Sequence, residues 1–247
     1  MLQTESLGLR IGGAVILSDV SLDVRAGEFL VMIGPNGAGK TTFFNLLSGV
    51  ARPTSGRILL EGTDITHAPP YVRARLGLGR TFQTSSVFTG LTTLENVRLA
   101  AAAQLGGSGA IWKHADSEAA PLERAHAVLE RVGLTARLGA LAGALSHGEK
   151  RKLDLAILLC GDPHVVLLDE PTAGMAVEDV PEIVELISRI AREERRTVLM
   201  VEHRMDLVVN LADRMAVMHH GSLLAVDVPE RIMANETVQA AYLGDPL

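Results

Sequence analysis

Eight residues constrain this chain more than any others: Gly34-Pro35-Asn36-Gly37-Ala38-Gly39-Lys40-Thr41 fits the pattern G-x-x-x-x-G-K-[ST]. The run before them, Glu28 to Ile33, is short and apolar and reads as a strand buried on both faces. The run after them, Lys40 to Ser48, suits a helix closed by Gly49. A glycine loop between a buried strand and a helix start lets successive backbone N–H groups turn inward around phosphate oxygens, and the helix N-terminus adds a partial positive charge. Lys40 supplies a full charge to the β- and γ-phosphates of a nucleotide, and the Thr41 hydroxyl is placed to coordinate Mg²⁺. Thr42, next in the helix, joins the phosphate-binding set.

A strand that leads into such a loop belongs to an α/β sheet, and the rest of the chain agrees. His164 to Leu168, Thr197 to Val201 and Met215 to His219 read as strands; Val180 to Glu194 and Met205 to Leu211 read as helices. This alternation predicts a mostly parallel sheet with helices on both faces. Leu7 to Val24, broken at Gly12–Gly13, reads as two antiparallel strands, and Arg57 to Leu60 as another short strand. The middle reads differently: Thr92 to Ala103 and Pro121 to Val132 as helices, with Gln104 to Ala120 a Gly-, Ser- and Ala-rich loop between them. Pro229 to Leu243 reads as one short helical tail.

Val165-Val166-Leu167-Leu168-Asp169-Glu170 carries two carboxylates out to a strand's C-terminal edge, where α/β sheets bind ligands. Asp169 suits Mg²⁺, directly or through water, and Glu170 suits polarising an attacking water. His203 follows the next strand at the same sheet edge, where a γ-phosphate contact and a structural role are both open. Other classes are disfavoured. The net charge is −6 with no long Lys/Arg run, so no nucleic-acid partner is expected. No apolar stretch approaches the roughly 18 residues that suggest a membrane span, and no secretory signal is expected after an N-terminus carrying Glu5. The single cysteine, Cys160, lies in an apolar run and reads as a small core residue.

Together these pieces resemble the ATP-binding subunits of ABC transporters. The most diagnostic element is Leu145-Ser146-His147-Gly148-Glu149, similar to that family's LSGGQ signature. Ser146 suits capping a helix whose exposed N–H groups bind an anion. In the family that anion is the γ-phosphate of ATP held by the opposite subunit, so the resemblance gives Ser146 and Gly148 a role toward a partner's nucleotide. It likewise makes Gln83, in Arg80-Thr81-Phe82-Gln83, the Q-loop glutamine contacting Mg²⁺, and His203 the switch histidine. Ala173-Gly174-Met175 takes the D-loop position without the common Ser-Ala-Leu-Asp form. Two signature positions depart from the family: Glu149 stands for Gln and His147 for Gly. His147 reads either as a positive charge near the partner's ATP or as a side chain facing solvent. Ile11 stands where an aromatic commonly stacks on adenine.

The resemblance implies a P-loop NTPase of the ABC type in α/β class: a mostly parallel sheet core, an N-terminal antiparallel β part and a helical subdomain. It makes 1–247 a single ABC ATPase domain, with 1–82 and 160–228 as nucleotide-binding core, 83–159 as helical subdomain and 229–247 as C-terminal tail. ATP and Mg²⁺ are the implied cofactors. Two membrane permease subunits, a second ATPase subunit (a different chain, with a second copy of this one as the alternative) and, indirectly, a substrate-binding protein are the implied partners, at the cytoplasmic face of the inner membrane. Leu-Ser-His-Gly, Pro-Thr-Ala-Gly-Met and the ending Ala241-Tyr242-Leu243-Gly244 are similar to ATPases of branched-chain amino acid importers, and urea and short-amide importers share several of these features. A soluble ABC ATPase without a transport role is the weaker alternative.

Overall fold

The computed structural model describes residues 1–81, 87–105, 119–204 and 209–243. The elements run β1 (Leu2–Ile11), β2 (Ala14–Val24), β3 (Phe29–Ile33), α1 (Lys40–Ser48), β4 (Ser55–Leu60), β5 (Thr63–Asp64), α2 (Pro70–Arg75), β6 (Leu78–Arg80), α3 (Thr93–Leu105), α4 (Ala119–Arg131), α5 (His147–Cys160), β7 (Val165–Asp169), α6 (Val180–Arg192), β8 (Thr197–Val201), β9 (Arg214–His219), β10 (Ser222–Asp227), α7 (Pro229–Met233) and α8 (Glu236–Leu243). They divide into two compact units: Met1–Arg80 with His164–Glu170 and Ser188–Leu247, and Thr81–Pro163 with Pro171–Ile187.

The first unit holds both sheets. One is four-stranded in the order β2-β1-β4-β5, and its pairings are antiparallel. The other is six-stranded in the order β10-β9-β3-β8-β7-β6; β3 lies parallel between β8 and β9, and only the edge pair β10/β9 is antiparallel. Every residue of β3, β7 and β8 is buried. Sandwiched strands need apolar side chains on both faces, which is why these three read as hydrophobic runs, with only Asp169 and Thr197 polar, each at a strand end. Phe43, Phe44, Leu46 and Leu47 of α1 join the core beside Leu30 and Met32.

The second unit is helical. Buried Ala125, Val128 and Leu129 make one stripe of α4, the spacing of a single helical face. Leu153, Leu155, Ala156 and Leu159 are buried on α5. Helix α6 begins in this unit, and its buried Val180, Ile183, Leu186, Ile187 and Ile190 follow the same periodicity.

Several expectations are corrected. The first strand begins at Leu2, because Leu2 and Thr4 are already buried and paired with Val24 and Leu22. Strands β5, β6 and β10 were not expected; they are short or only half-buried, so they lack a continuous apolar run. Gln104 belongs to α3, and α4 starts at Ala119, with Pro121 in its first turn where an N–H is dispensable. The rest of the expected Gln104–Ala120 loop, 106–118, lies outside the described residues. Helix α6 ends at Arg192 rather than Glu194. The tail is two helices, because Asn235 Oδ1 accepts from Thr237 N (3.0 Å) and Val238 N (3.3 Å) and starts α8 afresh. Of the helix expected over Met205 to Leu211, only 209–211 are described, and they are helical.

Candidate active site

Strand β3 delivers Gly34 into a space that only glycine fits: its φ is 152°, and a Cβ there would lie 2.2 Å from the Met218 carbonyl oxygen. Gly39, the residue before α1, has φ 99°, and a Cβ would lie 2.7 Å from Leu17 Cδ2. The loop is braced from below, where Gly221 N donates to Ala38 O at 3.0 Å and Ala38 N to Pro35 O at 3.2 Å. No acidic residue sits in the first turn of α1 and no side chain caps it, so nothing anionic there competes for its N–H groups. Lys40 is buried and donates from Nζ to Gly34 O (2.6 Å) and Pro35 O (3.0 Å). Burial holds its pKa below the usual lysine value, and the charges of Glu170 and Asp169 oppose that shift. Asn36, Gly37 and Thr41 are exposed, and Pro35 and Thr42 are half-buried. The cradle therefore opens to solvent on the side of the helix start.

Strand β7 ends in Asp169, which is 1% exposed. Its Oδ2 accepts from Arg80 Nη2 at 3.0 Å, while Oδ1 is buried with no hydrogen-bond partner among the described residues. Burial raises the Asp169 pKa, and Arg80 opposes the rise. A carboxylate oxygen left over in this way fits a hard divalent cation, which would draw its other ligands from phosphate, water and the Thr41 hydroxyl. No cluster of three or more His, Cys, Asp or Glu that could hold a metal occurs among the described residues. That donor set suits an ion arriving with a nucleotide better than a dedicated all-protein site.

Glu170 leaves the strand with φ 47°, a left-handed conformation that costs a non-glycine residue roughly 1–3 kcal/mol and clusters at functional sites. Its N–H donates to Val201 O at 3.0 Å, which holds the turn. His203 Nε2 donates to Glu170 Oε1 at 2.9 Å, and His203 N donates to Glu202 Oε2 at 2.9 Å. Lys40, Asp169, Glu170 and His203 thus come together at the C-terminal edge of one sheet, within one unit. Ile11 ends β1 at 62% exposure and offers an open aliphatic surface. Gln83 lies outside the described residues.

In the second unit, Ser146 caps α5 in a reciprocal box: Glu149 N donates to Ser146 Oγ at 3.1 Å, and Ser146 N to Glu149 Oε2 at 2.8 Å. This box accepts Glu or Gln at its third position, which accounts for Glu149. Arg137 Nε adds a donation to Glu149 Oε1 at 2.7 Å, and these bonds hold the Glu149 pKa below the usual carboxylate value, the Ser146 backbone donation being the largest cause. Gly148 is buried against Asp179, whose Oδ2 would lie 3.3 Å from an added Cβ. The His147 ring is exposed, and its Nε2 lies 3.4 Å from Ala173 O, so it reaches the D-loop position rather than only solvent.

Residues 17–173 match the family model described as ABC transporter. The chain belongs to the ABC transporter family. Among ABC proteins it is 38% identical to the LivG protein of Salmonella typhimurium, a "High-affinity branched-chain amino acid transport ATP-binding protein", over 99% of this chain and 98% of the relative. It is 37% identical to the BraF protein of Pseudomonas aeruginosa, which carries the same description, over 99% and 98%. A solved ABC cassette described as an ADP conformation superposes with TM-score 0.87 at 30% identity, covering 99% of both chains. The expected P-loop NTPase fold is that of this ABC cassette. No described helix is long and apolar enough to cross a membrane.

Sequence reasoning gave Arg80 no role beyond its place in Arg80-Thr81-Phe82-Gln83. Yet its guanidinium also donates from Nη1 to Asn45 Oδ1 and Ser48 Oγ, both at 2.8 Å. No local signal marks it, because Leu78-Gly79-Arg80 is too short to read as a strand and Asp169 lies 89 positions away.

Proposed function

We propose that this chain is the ATP-hydrolysing subunit of an ABC importer for branched-chain amino acids. The observation that carries the catalytic reading is the meeting of the Lys40 cradle with Asp169, Glu170 and His203 at one sheet edge. Near full-length similarity to LivG and BraF supports the cargo. In this reading the chain works at the cytoplasmic face of the inner membrane. It works with two permease subunits, a second ATPase chain and, through the permeases, a binding protein.

The chemistry follows from the residues. The amides of 34–41 and the Lys40 ammonium grip the β- and γ-phosphates, and Lys40 exchanges its bonds to Gly34 O and Pro35 O for phosphate oxygens. Ile11 carries the adenine on an aliphatic surface. Thr41, Asp169 and, by the family resemblance, Gln83 would hold Mg²⁺, which would neutralise charge on the phosphate oxygens. Glu170 orients the attacking water, and His203 moves between the Glu170 carboxylate and the γ-phosphate. The start of α5 at Ser146 and Gly148 presents its N–H groups to ATP held by the second ATPase chain. Closure and opening of that pair drive the permeases.

Glu170→Gln keeps the shape of the side chain but removes its basicity. It is expected to leave ATP affinity within about threefold and to slow single-turnover hydrolysis by roughly 10²–10⁴-fold. Hydrolysis at the wild-type rate would remove Glu170 from the mechanism. In vesicles holding the permeases and binding protein, leucine, isoleucine or valine is expected to raise ATP turnover. A response to urea or short amides instead would reassign the cargo.

A further inference from the structure

Arg80 closes β6, one strand over from β7, with Arg80 paired in register to Leu167. Its side chain is 5% exposed, that of its partner Asp169 2%. One guanidinium reaches two elements: Nη2 holds Asp169 Oδ2 at the end of β7, and Nη1 holds Asn45 and Ser48, three residues apart on one face of α1. The guanidinium carbon also lies over the Phe44 ring of α1, 5.8 Å from its centre. Helix α1 carries the phosphate cradle, and β7 carries the carboxylate that suits a cation. A planar fork with fixed donor directions spaces the two in a way that a flexible ammonium does not.

We propose that Arg80 is a positioning residue for the metal-nucleotide: by engaging Asp169 Oδ2 and α1 together, it presents Asp169 Oδ1, which has no hydrogen-bond partner among the described residues, to the cation at a set distance from the cradle. It touches neither nucleotide nor metal. Partners that orient a ligating carboxylate from outside typically change metal affinity 10–100-fold when removed. The inference rests on the nucleotide and metal reading given above.

The test is the gain in ADP affinity that metal confers, taken as the ratio of dissociation constants in EDTA and in excess Mg²⁺ by titration calorimetry. Mn²⁺ binding to the ADP complex, followed by electron paramagnetic resonance, is the independent readout. Arg80→Met is expected to cut this ratio about tenfold or more while leaving metal-free ADP affinity within about twofold. In an Asp169→Asn background, Arg80→Met is expected to change the ratio no further, which a general loss of structure would not produce. Arg80→Lys is expected to recover less than half of the logarithmic loss. An unchanged ratio in Arg80→Met, an equal drop in metal-free affinity, or an undiminished effect in the Asp169→Asn background would each overturn the inference. If circular dichroism shows Arg80→Met unfolded, Arg80→Lys decides: a wild-type ratio there overturns it, and a reduced ratio with intact metal-free affinity supports it. A wild-type protein that binds ADP equally with and without metal would instead remove Asp169 as a metal ligand, a different failure from that of Arg80.

Discussion

Replacing Arg73 with methionine removes a cation that is 1% exposed and bonded to backbone alone in the contacts it makes. Its Nη1 donates to Leu46 O and Leu47 O, both at 2.6 Å, Nη2 to Thr66 O at 2.9 Å, and Nε to Ala68 O at 2.8 Å. Leu46 and Leu47 lie in the last turn of α1, so Arg73 satisfies the Leu47 carbonyl that the helix end leaves open, adds a second donor to Leu46 O beside Gly49 N, and complements the helix dipole. Without Arg73, Leu46 O keeps its bond from Gly49 N at 3.2 Å, while Leu47 O, Thr66 O and the half-buried Ala68 O lose their donor; at about 1.5 kcal/mol each this costs roughly 4.5 kcal/mol. Burial also penalises the guanidinium itself, whose pKa is pushed down from 12.5 to about 10; removing the charge relieves about 3 kcal/mol of that penalty. The net expectation is a loss of about 1.5 kcal/mol, or a melting point lower by roughly 3–6 °C for a chain of this size. Urea and thermal unfolding followed by circular dichroism measure it, with Arg73→Lys expected between the two. A variant as stable as wild type, or more stable, would refute the reasoning that these carbonyls depend on Arg73.

Three further outcomes follow from the same geometry. The Glu149 pKa is lowered in the fold, so its contribution to stability is present above the unfolded carboxylate value and disappears as pH falls through the folded one. Wild type is therefore expected to exceed Glu149→Ala by about 1 kcal/mol at pH 7, with the gap closing below about pH 4 in parallel urea titrations. Glu149→Gln keeps the reciprocal cap and is expected to lose less than half of that amount at pH 7, which the same titrations measure. Ile11→Tyr places a ring on the exposed end of β1, and nucleotide titration is expected to show ATP bound roughly 2- to 10-fold tighter, the worth of one aromatic contact.

How much of this was legible depends on whether a feature is contiguous in sequence. The strand, cradle and helix from Phe29 to Ser48 are one unbroken stretch whose local rules agree, and β7 and β8 declare themselves because strands buried on both faces are apolar but for their ends. The Ser146 cap is readable for the same reason, since its partner Glu149 is three residues away. Arg80 and Asp169 are 89 positions apart, and nothing in either neighbourhood says that a guanidinium will be buried against that carboxylate. Arg73 gives still less away, because its acceptors are backbone carbonyls that carry no side-chain signature. Strand β10 was missed because an edge strand with half-buried residues needs no apolar pattern. The break at Asn235 was missed because a helix cap inside a short polar tail looks like any other polar residue there.

The central claim is that the loop of 34–41 and the Lys40 ammonium grip a triphosphate, and equilibrium titration of ATP into the purified chain with excess magnesium tests it most directly. Wild type is expected to bind with a dissociation constant below about 1 mM, and Lys40→Ala at least about tenfold more weakly, the loss of one charge-assisted contact. Saturable binding that Lys40→Ala leaves unchanged, or no binding by wild type at millimolar ATP, would contradict the account.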